Sequence, residues 1–200
     1  MEKLIVRSNE GDNSTYIDGY ASVFNQRSRL IFEDGKKFYE IIKEGAFDEV
    51  LRSESLNVKA VINHDDSKLL GRSKSGTLTL EVDNTGLKYS IRMGKTQLHR
   101  DTVEMVERGD LAESSFKYKI GKGDSVFQRD SNGDLLHIVS TVRGLYDISL
   151  VNDGAFTNTN VIVRSALNDF EQAEKEEHLR QIKEENAVKR NYLKELKNNI

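Results

Sequence analysis

The sequence predicts a mainly β domain with peripheral helices, an α+β fold, followed by one long C-terminal helix. Three observations predict it. Residues 1–165 are built from short apolar runs separated by Gly, Asn and Asp, the spacing of strands and turns. All 14 glycines precede residue 166, and the chain has no proline, so Gly, Asn and Asp must make the turns. The remainder is rich in Glu, Lys, Gln, Asn and Leu, with no residue that must break a helix.

Taken in order, residues 4–7 and 16–24 read as strands around the turn residues GDNS, and 59–63 as a third apolar run. Helices are expected at 46–53, after Gly45, and at 97–108, where Gly109 supplies the stop. A hairpin is clear between them. Leu78, Leu80 and Val82 alternate on one face, DNTG turns the chain, and Leu87, Tyr89 and Ile91 resume the alternation. Residues 115–120, 125–127, 135–142 and 145–151 continue the pattern, with SNGD as a second turn. About eight strands with few helices predict a closed or nearly closed sheet. From 167 to 200 a single helix is expected, carrying a thin apolar stripe at Val188, Tyr192, Leu196 and Ile200, with Leu193 beside it. Such a stripe fits a solvated tail and a docking or coiled-coil segment alike.

Composition bounds the function. Two hundred residues suffice for one ordinary domain without staples. Zero cysteines exclude disulfides, thiolate zinc sites and a cysteine nucleophile, and suit a reducing compartment. Lys plus Arg number 30 against 33 Asp plus Glu, a net charge of −3, which leaves no basic excess for wrapping nucleic acid. The chain is 36% hydrophobic and 32% charged, and no apolar stretch approaches the roughly 18 residues of a membrane span. We therefore expect a soluble, unsecreted chain without a membrane segment.

Without cysteine, the chemical options are a serine with a base, a carboxylate pair, or a His/Asp metal site. Of four histidines, His178 sits among charges in the tail, and His99 reads as a helix surface residue. His64 follows the run KAVIN and precedes Asp65 and Asp66, where a strand gives way to a loop, and it is the best candidate base. His137 lies inside LLHIVSTV, where a packed sheet residue is the plainer reading. Ser114 and Ser115 begin a strand after a helix and turn, a usual place for edge hydroxyls. Strand alternation lets only one of them face a given base. His-Asp-Asp without another clustered histidine is a weak metal site, and no metal or cofactor is expected.

A longer pattern adds to this reading. The blocks GYASVFN (19–25), YEIIKEGAFDEVL (39–51), NHDDSKLLGRSKSGTLTLEVDNTGL (63–87), ERGDLAESSFKYKI (107–120) and LYDISLVNDGAF (145–156) resemble, in order, the prohead protease family of tailed bacteriophages. The resemblance covers most of residues 16–165 and leaves out the tail. It implies a serine endopeptidase of the immature phage head and a fold like that of herpesvirus assemblins, an antiparallel β-barrel with peripheral helices. It implies that His64, the histidine of NHD, is the general base and that Ser115, directly before Phe, is the nucleophile. The late block offers Asp147 as third member, shorter than the more usual Glu, while the assemblins' second histidine keeps His137 as the alternative. GAF at 154–156 also departs from the more usual Pro-Ala-Tyr.

The same resemblance implies partners: the major capsid protein and a scaffold or scaffolding segment, with self-association and self-cleavage, inside the prohead in the host cytoplasm. Residues 1–165 would form the protease domain and 166–200 a charged helical tail, docking on scaffold or capsid or removed by autoprocessing. A turn at 70–73 is the expected source of an oxyanion donor. Two other readings stay open: a non-catalytic capsid assembly or scaffold-associated protein on the same fold, and a β-barrel nucleic-acid module, which the charge balance disfavours.

Overall fold

The computed structural model describes the backbone of residues 4–9, 14–33, 35–152 and 161–198, and the side chains of these except at 33, 161–166 and 191–198. The departure at 154–156 and the apolar residues Tyr192, Leu193, Leu196 and Ile200 lie outside the described side chains.

Twelve strands and three α-helices follow one another among the described residues: β1 (Ile5–Asn9), β2 (Ser14–Val23), β3 (Ile31–Glu33), β4 (Lys36–Ile42), α1 (Asp48–Leu51), β5 (Lys59–Ile62), β6 (Asp65–Arg72), β7 (Leu78–Val82), β8 (Gly86–Arg92), α2 (Gln97–Arg108), β9 (Glu113–Lys119), β10 (Ser125–Arg129), β11 (Leu135–Val139), β12 (Gly144–Val151) and α3 (Val161–Asn198). The mainly β reading with peripheral helices holds. The closed barrel does not: the described strands form three four-stranded sheets, ordered β1-β2-β8-β7, β10-β11-β4-β3 and β6-β5-β12-β9. Two pairings, β11 with β4 and β12 with β5, are parallel, so two of the three sheets are mixed where an antiparallel barrel was expected. Parallel partners need long crossovers between distant segments, which local alternation does not reveal.

Local chemistry explains most elements. The β7–β8 hairpin closes where Asp83 Oδ1 accepts the Thr85 and Gly86 N–H groups, an Asx-type turn. Helix α2 starts at Thr96, whose hydroxyl accepts the His99 N–H, and ends at Gly109 in the left-handed region (φ 85°). The helix expected at 46–53 shortens to α1. A core of fully buried side chains, including Ile17, Leu87, Tyr89, Ile91, Val58, Ile148 and Leu150, ties the sheets together. Near β11 the fully buried His137 stacks on Phe127, with ring centroids 4.6 Å apart, and meets Phe38 edge-on.

Helix α3 begins before the expected residue 167 and is docked at its start. Leu167 is 5% exposed, and Phe170 packs on the core beside Phe127. Glu171 pairs with Lys36, and Glu174 accepts two bonds from Arg129. No described helix is long and apolar enough to cross a membrane.

Candidate active site

The sheet β6-β5-β12-β9 gathers the predicted residues. Ser115 lies on its end strand β9, Asp147 on the neighbouring β12, and His64 in the loop joining β5 to β6. His64 Nε2 is 3.0 Å from Ser115 Oγ, and His64 Nδ1 is 2.7 Å from Asp147 Oδ1. An ionised carboxylate only accepts, so the imidazole proton belongs on Nδ1, donated to Asp147. Nε2 is then free to accept the Ser115 hydroxyl proton. The side chains of His64 and Asp147 are 7% and 4% exposed, so both hydrogen bonds are shielded from water.

Local backbone features aim these groups. Ile62 pairs with Asp65 around a two-residue loop, and both loop residues have positive φ, 49° at Asn63 and 55° at His64, the signature of a type I′ hairpin turn. Position 64 is one that glycine would favour, and a histidine held there stores strain of order 1 kcal/mol or more. On β12 the register shifts between Leu145 and Asp147, leaving Tyr146 as an extra, exposed residue. That bulge lets Leu145 and Ile148 share one face, opposite Tyr118 and Phe116, while Asp147 and Ser149 share the other, opposite Lys117 and Ser115.

The adjacent serines separate as strand alternation predicts. Ser115 Oγ meets His64, whereas Ser114 Oγ is 2.7 Å from the hydroxyl of Tyr89 on the β1-β2-β8-β7 sheet. Burial pushes the Tyr89 phenol well above its ordinary range. His137 takes no part in the line: its Nδ1 is 3.1 Å from Glu40 Oε2, which also accepts the Tyr118 hydroxyl at 2.5 Å. His99 Nδ1 accepts the Gly94 N–H, and His178 is exposed on α3.

The aspartates after His64 are also engaged. Hydrogen bonds from the Ser67 hydroxyl and N–H hold the Asp65 carboxyl below the usual carboxylate range, and the Lys59 ammonium, 2.6 Å away, does the same for Asp66. Among the described residues, no three His, Cys, Asp or Glu side chains gather to hold a metal ion. The stretch 70–73, expected to be a turn offering an oxyanion donor, is the end of β6 and the start of a 3₁₀ turn. There the Arg72 N–H is donated to Thr77 Oγ1 and the Ser73 N–H to the Val58 carbonyl.

Two contacts to His64 were not anticipated. Its backbone N–H donates to Ser149 Oγ at 2.8 Å, and Lys117 Nζ lies 3.4 Å from its carbonyl oxygen and 3.8 Å from Asp147 Oδ2. The available signal was spacing: each residue stands two positions beyond a predicted site residue on a strand, hence on the same face.

A serine, imidazole and carboxylate in this geometry can carry a proton away from the serine oxygen and stabilise the resulting imidazolium. No curated protein and no solved structure matches the chain. The family profile described as caudovirus prohead serine protease matches residues 2–176 of the 200, including the docked first turns of α3. The chain therefore belongs to the prohead serine protease family of tailed phages.

Proposed function

We propose that this chain is a serine endopeptidase that trims the major capsid protein and its scaffold or scaffolding segment inside the assembling prohead, and finally cleaves itself. The observation that carries the proposal is the hydrogen-bonded line from Ser115 through His64 to Asp147. Ser115 Oγ attacks the scissile carbonyl while His64 Nε2 takes its proton. Asp147 holds the imidazole in the required tautomer and stabilises the imidazolium. His64 then protonates the departing amine, and a water activated by the same nitrogen hydrolyses the acyl-enzyme. The shorter Asp147 suffices in place of a glutamate because the bulge at Tyr146 turns its carboxylate towards the histidine loop.

The tail completes the reading. Beyond its docked turns α3 exposes Leu179, Ile182 and Val188 among dense charge, a surface suited to scaffold or capsid subunits. We take residues 1–165 as the protease proper and 166–200 as a segment for docking or self-removal, acting in the prohead within the host cytoplasm.

Co-expression with the major capsid protein tests this, with capsid mass followed for wild type, Ser115→Ala and His64→Ala. Loss of a terminal capsid segment with wild type alone supports the reading. Intact capsid protein in all three, in proheads that contain this chain, would replace it with a non-catalytic assembly role.

A further inference from the structure

The base itself sits in an unfavourable backbone conformation, and what holds it there comes from the strands carrying the other two site residues. In the β9–β12 ladder Ser115 is opposite Ser149, and Lys117 is opposite Asp147. These four residues form a square on one face of the sheet. One diagonal, Ser115 and Asp147, meets the His64 ring. The other, Ser149 and Lys117, meets its backbone: Ser149 Oγ accepts the N–H at 2.8 Å, and the Lys117 ammonium points to the carbonyl at 3.4 Å.

We propose that Ser149 and Lys117 are positioning residues that fix the left-handed His64 turn, so that the imidazole is presented to Ser115 before substrate arrives. A non-glycine residue at φ 55° persists only where its surroundings over-determine it. Both of its main-chain polar groups are fastened, from two different strands. Ser149 is fully buried, so its hydroxyl acts in a setting where an unmatched N–H is costly. Lys117 adds a second link, since the same ammonium lies 3.8 Å from Asp147 Oδ2 and thereby joins the position of the carboxylate to that of the loop. Its side chain is 32% exposed, so the chain tolerates substitution there more readily than at Ser149.

The role rests on the proposed triad, and the test separates the two. Ser149→Ala, Lys117→Met and Lys117→Arg are made in the full-length chain, with melting temperature checked for each. Cleavage of the capsid protein is timed in the active background. The low-field imidazole N–H resonance of ¹⁵N-histidine-labelled protein is recorded in the Ser115→Ala background. We expect Ser149→Ala and Lys117→Met to lower the turnover rate about 10²-fold at unchanged KM, the scale of a small misplacement of a reacting group. The His64 resonance should shift or broaden in both, and Lys117→Arg should restore most of each signal. Folded variants with wild-type turnover and an unchanged resonance overturn the proposal. If the wild type cleaves nothing, the resonance alone decides it, and the failure belongs to the proteolytic reading. If Ser149→Ala does not fold, the Lys117 pair decides.

Discussion

Replacing Asp147 by Asn separates the two candidates for the third site residue. The substitution keeps the shape of a side chain that is 4% exposed and removes only its negative charge and one acceptor. The amide can offer N–H where His64 Nδ1 needs an acceptor, which favours the wrong tautomer and blocks Nε2 as a base. Turnover should fall about 10⁴-fold, equivalent to about 5.5 kcal/mol of transition-state stabilisation, with little change in melting temperature. His137→Ala should do the reverse. That ring is fully buried, stacked on Phe127 and bonded to Glu40, so its loss leaves a cavity costing about 3 kcal/mol. The melting temperature should then drop by about 6–12 °C, while cleavage below the transition stays near wild type. The assay is a time course of capsid-protein cleavage for both variants alongside thermal unfolding. An Asp147→Asn enzyme within tenfold of wild type, or a folded His137→Ala enzyme without activity, would refute the assignment.

Three further outcomes follow from packing and charge. In Gly86→Ala the new Cβ would collide with the Ser22 carbonyl oxygen, forcing β8 away from β2, so urea denaturation should show a loss of about 3 kcal/mol or more. The Arg143 guanidinium hydrogen-bonded to Asp124 holds that carboxyl below the usual range, so its stabilisation is complete above the ordinary carboxylate pKa and is lost as pH falls through the depressed folded value. Asp124→Asn should therefore cost about 1.5–3 kcal/mol at neutral pH, and its stability gap to wild type should close in acid; a gap constant across a pH series would contradict this. A chain ending at 176 keeps the buried Leu167, and one ending at 165 loses it, worth about 2 kcal/mol. The shorter chain should melt about 4–8 °C lower, and equal melting temperatures would show that the docked turns of α3 add nothing.

Local signals made much of the fold legible. The β7–β8 hairpin announces itself through Leu78, Leu80, Val82 and the DNTG turn, and α2 through its stop at Gly109. Strands β3, β4 and β6 were missed because their sequences lack clean alternation. In DDSKLLGR the register shifts free residues 66–68 from the ladder, so no period of two survives. The barrel expectation failed for another reason: three separate sheets and a closed sheet offer the same run of short strands, and only long-range pairing tells them apart.

The candidate site was legible as residue types and opaque as geometry. His64, Ser115 and Asp147 stand out through their motifs, but their meeting depends on features with no sequence period. β5 must lie parallel to β12 so that its end brings the 63–64 turn beside Ser149 and Asp147. Were Tyr146 instead paired as a regular strand residue, every residue on one side of it would exchange faces relative to the other. Leu145 and Asp147 would then compete for one side of the sheet. Burying Leu145 would carry Asp147 into the core, and aiming Asp147 at His64 would expose Leu145. The bulge resolves that conflict by leaving Tyr146 unpaired and exposed, so its phenol on the surface is the visible trace of how a buried carboxylate came to face the histidine.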